Sequence, residues 1–146
     1  MGKNIFCEEN VVLNSKADDK WDAIRKCGRI LVERGYVSEA YIDDMLERER
    51  GACVYVGNHV AIPHGIAGSE NKIFHSGISF LQVPDGVEFN GETAYLLIGI
   101  AGKDGEHIEL LGKIAMICSD MDHVETLRTA KTAEAVCRIF QEMLEQ

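Results

Sequence analysis

Proline, basic charge, paired cysteines and long apolar runs are all scarce in this chain of 146 residues, and each scarcity closes off a class of protein. Two prolines and no low-complexity run leave no room for a long linker. A single domain over residues 1–146 is therefore expected, and a domain of that size buries an adequate core without disulfides. No apolar run approaches the ~20 residues needed to cross a bilayer; the most apolar piece, residues 94–101, is strand-sized. The N-terminus lacks an apolar signal core, and Phe6 stands where a myristoylation motif beginning Met1-Gly2 would want Ser or Thr. A cytoplasmic protein is the expectation. Lys and Arg number 15 against 24 Asp and Glu, a net charge of −9. That sign argues against binding nucleic acid, which needs a basic surface to neutralise phosphates. It suits a protein that meets basic partner surfaces. Cys7, Cys27, Cys53, Cys118 and Cys137 are odd in number, scattered and without a CxxC pair, which reads as reduced thiols.

Nucleotide loops are missing too: neither GxGxxG nor GxxxxGK[ST] occurs, and there is no serine nucleophile elbow. What is present is Ala61-Ile62-Pro63-His64-Gly65, a histidine between the two residues that most constrain a backbone. Pro63 fixes its own φ and pushes the residue before it toward extended geometry, while Gly65 lets the chain turn where a side chain would clash. A histidine held this way suits a metal ligand, a general base or a covalent acceptor. His59, His64, His75, His107 and Cys53 show no zinc-finger or HExxH spacing. Phosphate on a histidine carries roughly two negative charges and wants cations or N–H donors around it. Arg48 falls at the end of a helix one short loop before the strands leading to His64. His107 falls in the first turn of a helix, where an anion is favoured. Each also has a plain reading, Arg48 as part of a solvated Glu47-Arg48-Glu49-Arg50 pattern and His107 as an ordinary surface residue.

Periodicity predicts an α/β chain. A short strand at 11–13 precedes a helix capped by Asp18 or Asp19, with Trp21, Ile24 and Leu31 on one face and Gly35 as its stop. Ser38 is expected to cap a second helix that buries Tyr41, Ile42, Met45 and Leu46 and ends at Gly51. Strands follow at 53–56 and 59–62, broken by Gly57-Asn58, and a longer one at 73–83 ends at the turn Pro84-Asp85-Gly86. Asn90-Gly91 is a further turn signal. Residues 94–101 read as a strand buried on both faces. The next helix carries Ile108, Leu111, Ala115 and Cys118 at helical spacing. Asp122 and Glu125 look like the start of another through Leu127, and Thr132 can cap the last, which buries Val136 and Phe140. Helices, strands and helices in that order give a layered architecture with a mixed sheet.

The segment Gly57-Asn58-His59-Val60-Ala61-Ile62-Pro63-His64-Gly65 resembles the phosphorylation-site motif of the mannitol/fructose-type EIIA domains of the bacterial phosphoenolpyruvate-dependent sugar phosphotransferase system. Leu31-Val32-Glu33-Arg34-Gly35-Tyr36-Val37 and Tyr41-Ile42-Asp43-Asp44-Met45-Leu46-Glu47-Arg48-Glu49 are similar to its opening helices. Leu97-Ile98-Gly99-Ile100-Ala101 with Glu106-His107-Ile108 resembles its second histidine segment and leans toward the mannitol branch. The likeness runs from about Asn4 onward. It implies a three-layer α/β/α sandwich around a mixed sheet, and one EIIA domain.

The resemblance also implies a phosphoryl relay. His64 would be the phosphorylated nucleophile, attacking through Nε2, with His107 and Arg48 stabilising the phosphoryl oxygens. The donor would be phospho-HPr and the acceptor an EIIB cysteine, with the membrane EIIC part involved indirectly. The EIIB and EIIC parts are expected on separate proteins. No cofactor and no metal are implied. An acidic rim around an apolar patch near His64 is expected from HPr's commonly basic and apolar face. The alternative output is regulatory, like nitrogen-type EIIA relatives that bind other proteins according to phosphorylation state. A non-catalytic binding module would have no chemical need of His64, His107 and Arg48 together. His59 departs from the family pattern, either as a tolerated strand-edge substitution or as a side chain that tunes His64.

Overall fold

The computed structural model describes residues 5–144. Its centre is a five-stranded mixed sheet in the order β1-β4-β5-β3-β2. The strands are β1 (Val11–Val12), β2 (Tyr55–Gly57), β3 (Val60–Ala61), β4 (Gly77–Phe89) and β5 (Glu92–Ala101). β1 runs parallel to β4 and β3 parallel to β5, while the β4–β5 and β2–β3 pairs are antiparallel. On one face lie α1 (Lys20–Glu33) and α2 (Ala40–Gly51); on the other lie α3 (Glu106–Cys118), α4 (Met121–Arg128) and α5 (Ala133–Leu144). The expected three-layer α/β/α sandwich is what forms.

Side-chain alternation with period two divides the core into these layers. Along β5, Leu96, Ile98 and Ile100 pack with Ile114, Ile117 and Phe140 of the α3–α5 side. Leu97 and Ala101 pack with Ile24, Leu31 and Met45 of the α1–α2 side. Residues 94 and 96–101 of β5 are wholly buried, as expected for a strand covered on both faces. Asp19 caps α1 by accepting from the Asp22 amide at 2.8 Å, and Thr132 accepts from Ala135 at the start of α5.

Four local expectations are corrected. Pro84-Asp85-Gly86 does not end a strand: β4 continues to Phe89, and its register against β5 shifts between Gln82 and Val87. A bulge absorbs the missing proline N–H at an exposed edge position. The hairpin turn is Asn90-Gly91, both residues with positive φ (51° and 93°). The same strand starts at Gly77 rather than Ile73, which makes only an isolated bridge to Val37. Ser38 does not cap α2; Glu39 holds that position without a side-chain bond, and the Ser38 carbonyl accepts from Tyr41. For α4 the cap is Asp120, which accepts from the Asp122 amide.

The buried face of α3 is also not the expected one. Leu110, Ile114, Ile117 and Cys118 meet the sheet, while Ile108 is 70% exposed, Ala115 is exposed and Leu111 is half-buried. This helix is apolar on two sides, and periodicity alone does not say which side the sheet takes. The unused side turns toward His64.

Candidate active site

β3 leads directly to His64. After Ala61 the chain stays beside β5: the Pro63 carbonyl accepts from the Ile100 amide at 2.9 Å, and His64 forms a parallel bridge with Ile100. The imidazole is thus placed at the C-terminal end of a parallel strand pair, where open α/β sheets present their ligands. His64 Nδ1 lies 2.7 Å from the Ile62 carbonyl. A carbonyl only accepts, so Nδ1 bears the hydrogen and the neutral ring keeps its lone pair on Nε2. Burial, with the nearby charges of Arg48 and His107 as smaller contributions, holds the His64 pKa below the usual 6.5, against the raising effect of the Ile62 bond. The half-buried ring is therefore poised neutral at physiological pH.

Gly65 serves by closeness. A Cβ there would stand 2.6 Å from Tyr41 Cε1 and 2.8 Å from Ser69 Oγ. The Gly65 amide donates to Tyr41 Oη at 2.9 Å, and Tyr41 Oη donates to the Ile100 carbonyl at 2.8 Å.

Arg48 sits in the last turn of α2, where its guanidinium donates to the Ala52 carbonyl at 2.7 Å. The charges around it are already assigned. Arg50 pairs with Glu47 at 3.0 Å; the Glu49 carboxylate is buried and takes Lys20 Nζ at 2.9 Å and the Val54 amide at 2.8 Å. Among the described residues Arg48 pairs with no carboxylate, so its charge remains available to an anion. The solvated-pattern reading holds for Glu47 and Arg50 but not for Arg48.

His107 is the second residue of α3, packed tightly against the preceding turn. A Cβ on Gly102 would lie 2.1 Å from the His107 nitrogen, so the helix starts there only because residue 102 has no side chain. Ser76 ties that turn together: its hydroxyl accepts from the Lys103 amide and donates to the Glu106 carboxylate.

His64, His107 and Arg48 line one cleft of about 520 Å³, so all three predicted site residues come together. Its walls are largely apolar, with Ile66, Ala67, Ile108 and Leu111 around the polar centre. Glu70 is the one carboxylate residue among the described lining, so the expected acidic rim is reduced at the cleft itself to a single side chain. A neutral nucleophilic nitrogen, two flanking cationic or N–H donor groups and an apolar wall suit transfer of a compact anion.

His59 is elsewhere. It occupies the β2–β3 turn with φ 68°, its Nδ1 lies 2.9 Å from the Thr93 carbonyl and its ring tilts against Tyr95 at 5.1 Å. It is not among the residues that line the cleft, and its ring is engaged by Thr93 and Tyr95 instead, which favours the strand-edge reading over one in which it tunes His64. Among the described residues no three His, Cys, Asp or Glu side chains are grouped to hold a metal ion. None of the described helices is long and apolar enough to cross a membrane. Sequence reasoning missed the polar roles of Tyr41, Ser69 and Asp44 beside the site. Tyr41 sat in an inward-facing pattern that announces burial but not a hydroxyl's partners, and the other two carried no signal at all.

Comparison with known proteins is consistent with this geometry. Residues 4–143 match the family described as "Phosphoenolpyruvate-dependent sugar phosphotransferase system, EIIA 2". A "Mannitol-specific phosphotransferase enzyme IIA component" of Geobacillus stearothermophilus is 48% identical over 144 residues, covering 98% of this chain and 99% of that protein. The protein of the same name from Bacillus subtilis is 43% identical, covering 95% of this chain and 98% of its own. Among solved structures, the complex of enzyme IIAMTL and phosphorylated enzyme IIBMTL from Escherichia coli contains a similar chain, with a TM-score of 0.88 and 33% identity over 94% of this chain and 97% of that one.

Proposed function

The chain belongs to the EIIA 2 family of the phosphoenolpyruvate-dependent sugar phosphotransferase system, and from that premise we propose that His64 is the residue that carries the phosphoryl group. The protein is a phosphocarrier. It takes a phosphoryl group from phospho-HPr and passes it to a cysteine of an EIIB protein, serving uptake of mannitol or a related sugar. We read residues 1–146 as one EIIA domain acting in the cytoplasm. Mannitol-type relatives at 48% and 43% identity favour the transport output over the regulatory one.

The observation that carries the reading is the fixed tautomer of His64. Nδ1–H is held on the Ile62 carbonyl, leaving the Nε2 lone pair as the ring's one nucleophilic position. In the first transfer the Nε2–P bond forms as the N–P bond of phospho-HPr breaks, and HPr's nitrogen keeps that electron pair. The His64 ring then carries positive charge, which the Ile62 carbonyl stabilises through the retained Nδ1–H. In the second transfer an S–P bond forms on the EIIB thiolate, the Nε2–P bond breaks, and the lone pair returns to a neutral ring. A loose phosphoryl transition state needs positioning and charge more than covalent assistance. Arg48 offers its guanidinium charge and His107 a ring N–H to the equatorial oxygens, and the apolar wall of Ile66, Ala67, Ile108 and Leu111 excludes water when a partner docks.

Incubation with phosphoenolpyruvate, enzyme I and HPr tests the assignment. The wild-type protein takes up one acid-labile phosphate and His64→Ala takes up none. Full labelling of His64→Ala would end it.

A further inference from the structure

Two consecutive backbone amides follow His64, those of Gly65 and Ile66. Successive amides beside a nucleophile are a ready phosphate cradle when they are free. Here both are taken. The Gly65 amide donates to Tyr41 Oη at 2.9 Å, and the Ile66 amide donates to Ser69 Oγ at 3.0 Å. Each hydroxyl has a single hydrogen, and each gives it inward. Tyr41 donates to the Ile100 carbonyl at 2.8 Å, and Ser69 donates to Asp44 Oδ2 at 2.7 Å. Asp44 is held in turn by Lys72 Nζ, 2.9 and 2.8 Å from its two oxygens. With their hydrogens committed, both hydroxyls can only accept from the loop. Tyr41, Ser69 and Asp44 are 2%, 3% and 7% exposed, so none of them is placed to touch a partner protein.

Resting on the reading of His64 as the acceptor, we propose that Tyr41 and Ser69 are positioning residues that withdraw the two loop amides from the phosphoryl group. The phosphate on His64 is then gripped by the side chains of Arg48 and His107 and not by backbone. The consequence is kinetic. Contacts that hold the phosphohistidine as firmly as the transition state add nothing to the rate of the next transfer, and firmer ones slow it. A relay must release its phosphate, and masking two strong donors keeps the carrier from becoming a trap. The same bonds fix the loop, whose displacement would misalign Nε2.

Tyr41→Phe is the test, because it removes one oxygen and keeps the ring. Wild-type and variant proteins are phosphorylated through enzyme I and HPr, then given a mannitol-type EIIB domain, and the Gly65 amide is followed by NMR in both states. Expected for the variant is one phosphate on His64, as in the wild type, an unchanged KM for EIIB, and onward transfer at saturating EIIB slower by about ten-fold. The Gly65 amide proton, nearly unmoved by phosphorylation in the wild type, moves strongly downfield in the variant as it finds the phosphate. Ser69→Ala makes the corresponding change at the Ile66 amide and serves if Tyr41→Phe does not fold. Wild-type onward rates in both variants, or a large downfield move of the Gly65 amide in the wild type, overturns the proposal. Absence of label on wild-type His64 overturns the functional reading itself and this proposal with it, an outcome separate from the other two.

Discussion

Replacing Gly102 with Ala places one methyl group where α3 begins. Gly102 has φ −122° and ψ 117°, extended backbone open to any residue, so the substitution carries no conformational penalty and its effect is purely steric. The new carbon would stand 2.1 Å from the His107 nitrogen, 2.3 Å from its Cα and 2.5 Å from its Cβ. Ordinary contact begins near 3.4 Å, so the first turn of α3 must retreat by about 1.3 Å. The atoms in the way are largely backbone, which cannot rotate aside. Overpacking of this kind costs about 1–3 kcal/mol, which for a chain of this size lowers Tm by about 3–10 °C. The larger effect is on chemistry, since a displacement near 1 Å of a charge-stabilising group costs about 100-fold in rate. Gly112→Ala, in the same helix with nothing within 4 Å of its added carbon, is the control. It should leave transfer unchanged and raise stability by up to about 1 kcal/mol through helix propensity. The assay is single-turnover phosphorylation from phospho-HPr beside thermal unfolding of each variant. Wild-type transfer by a destabilised Gly102→Ala protein would refute the claim that the seat of His107 governs the rate.

Four further outcomes follow from the structure. His64 is held below the ordinary 6.5 by burial, so in the folded protein it is less protonated at pH 6.5 than a free histidine. The acceptance rate should therefore fall with acid at a lower pH than the titration of a free histidine; a midpoint at or above pH 6.5, with HPr and enzyme I held saturating, would contradict this. The sign for stability is fixed by the same shift: the unfolded chain takes the proton first, so unfolding free energy falls as pH drops below about 6.5. Arg48→Ala should cost about 100-fold in phosphoryl acceptance, and Arg48→Lys should recover part of it, because the charge returns without the planar fork. Glu49→Gln loses the Lys20 ion pair but keeps an acceptor for the Val54 amide, and should cost about 1.5–3 kcal/mol in urea unfolding.

The layers and the triad were legible because they rest on strong local signals. Pro63 and Gly65 mark His64, the all-apolar run of β5 marks a central strand, and Asp19 and Thr132 are capping residues that cap. Where two patterns fit equally, the sequence could not choose between them. α3 offers 108/111/115 or 110/114/117, and only packing against β5 decides. Pro84-Asp85-Gly86 has turn composition, yet the long β4–β5 pairing outweighs it and leaves a bulge. At the site, Arg48 was separable from its charged neighbours only once Glu49 was seen buried on Lys20 and Arg50 paired with Glu47. Tyr41 and Ser69 were unreadable for a different reason: their hydroxyls are defined by partners 24 and 25 positions away, Gly65 and Asp44.

The most direct measurement is the position of phosphorus on the imidazole. Uniformly 15N-labelled protein is phosphorylated with phosphoenolpyruvate, enzyme I and HPr, and its histidine ring nitrogens are examined for coupling to 31P. Coupling is expected at His64 Nε2, with Nδ1 still protonated on the Ile62 carbonyl. Phosphorus on Nδ1 of His64, or on any other residue, would contradict it.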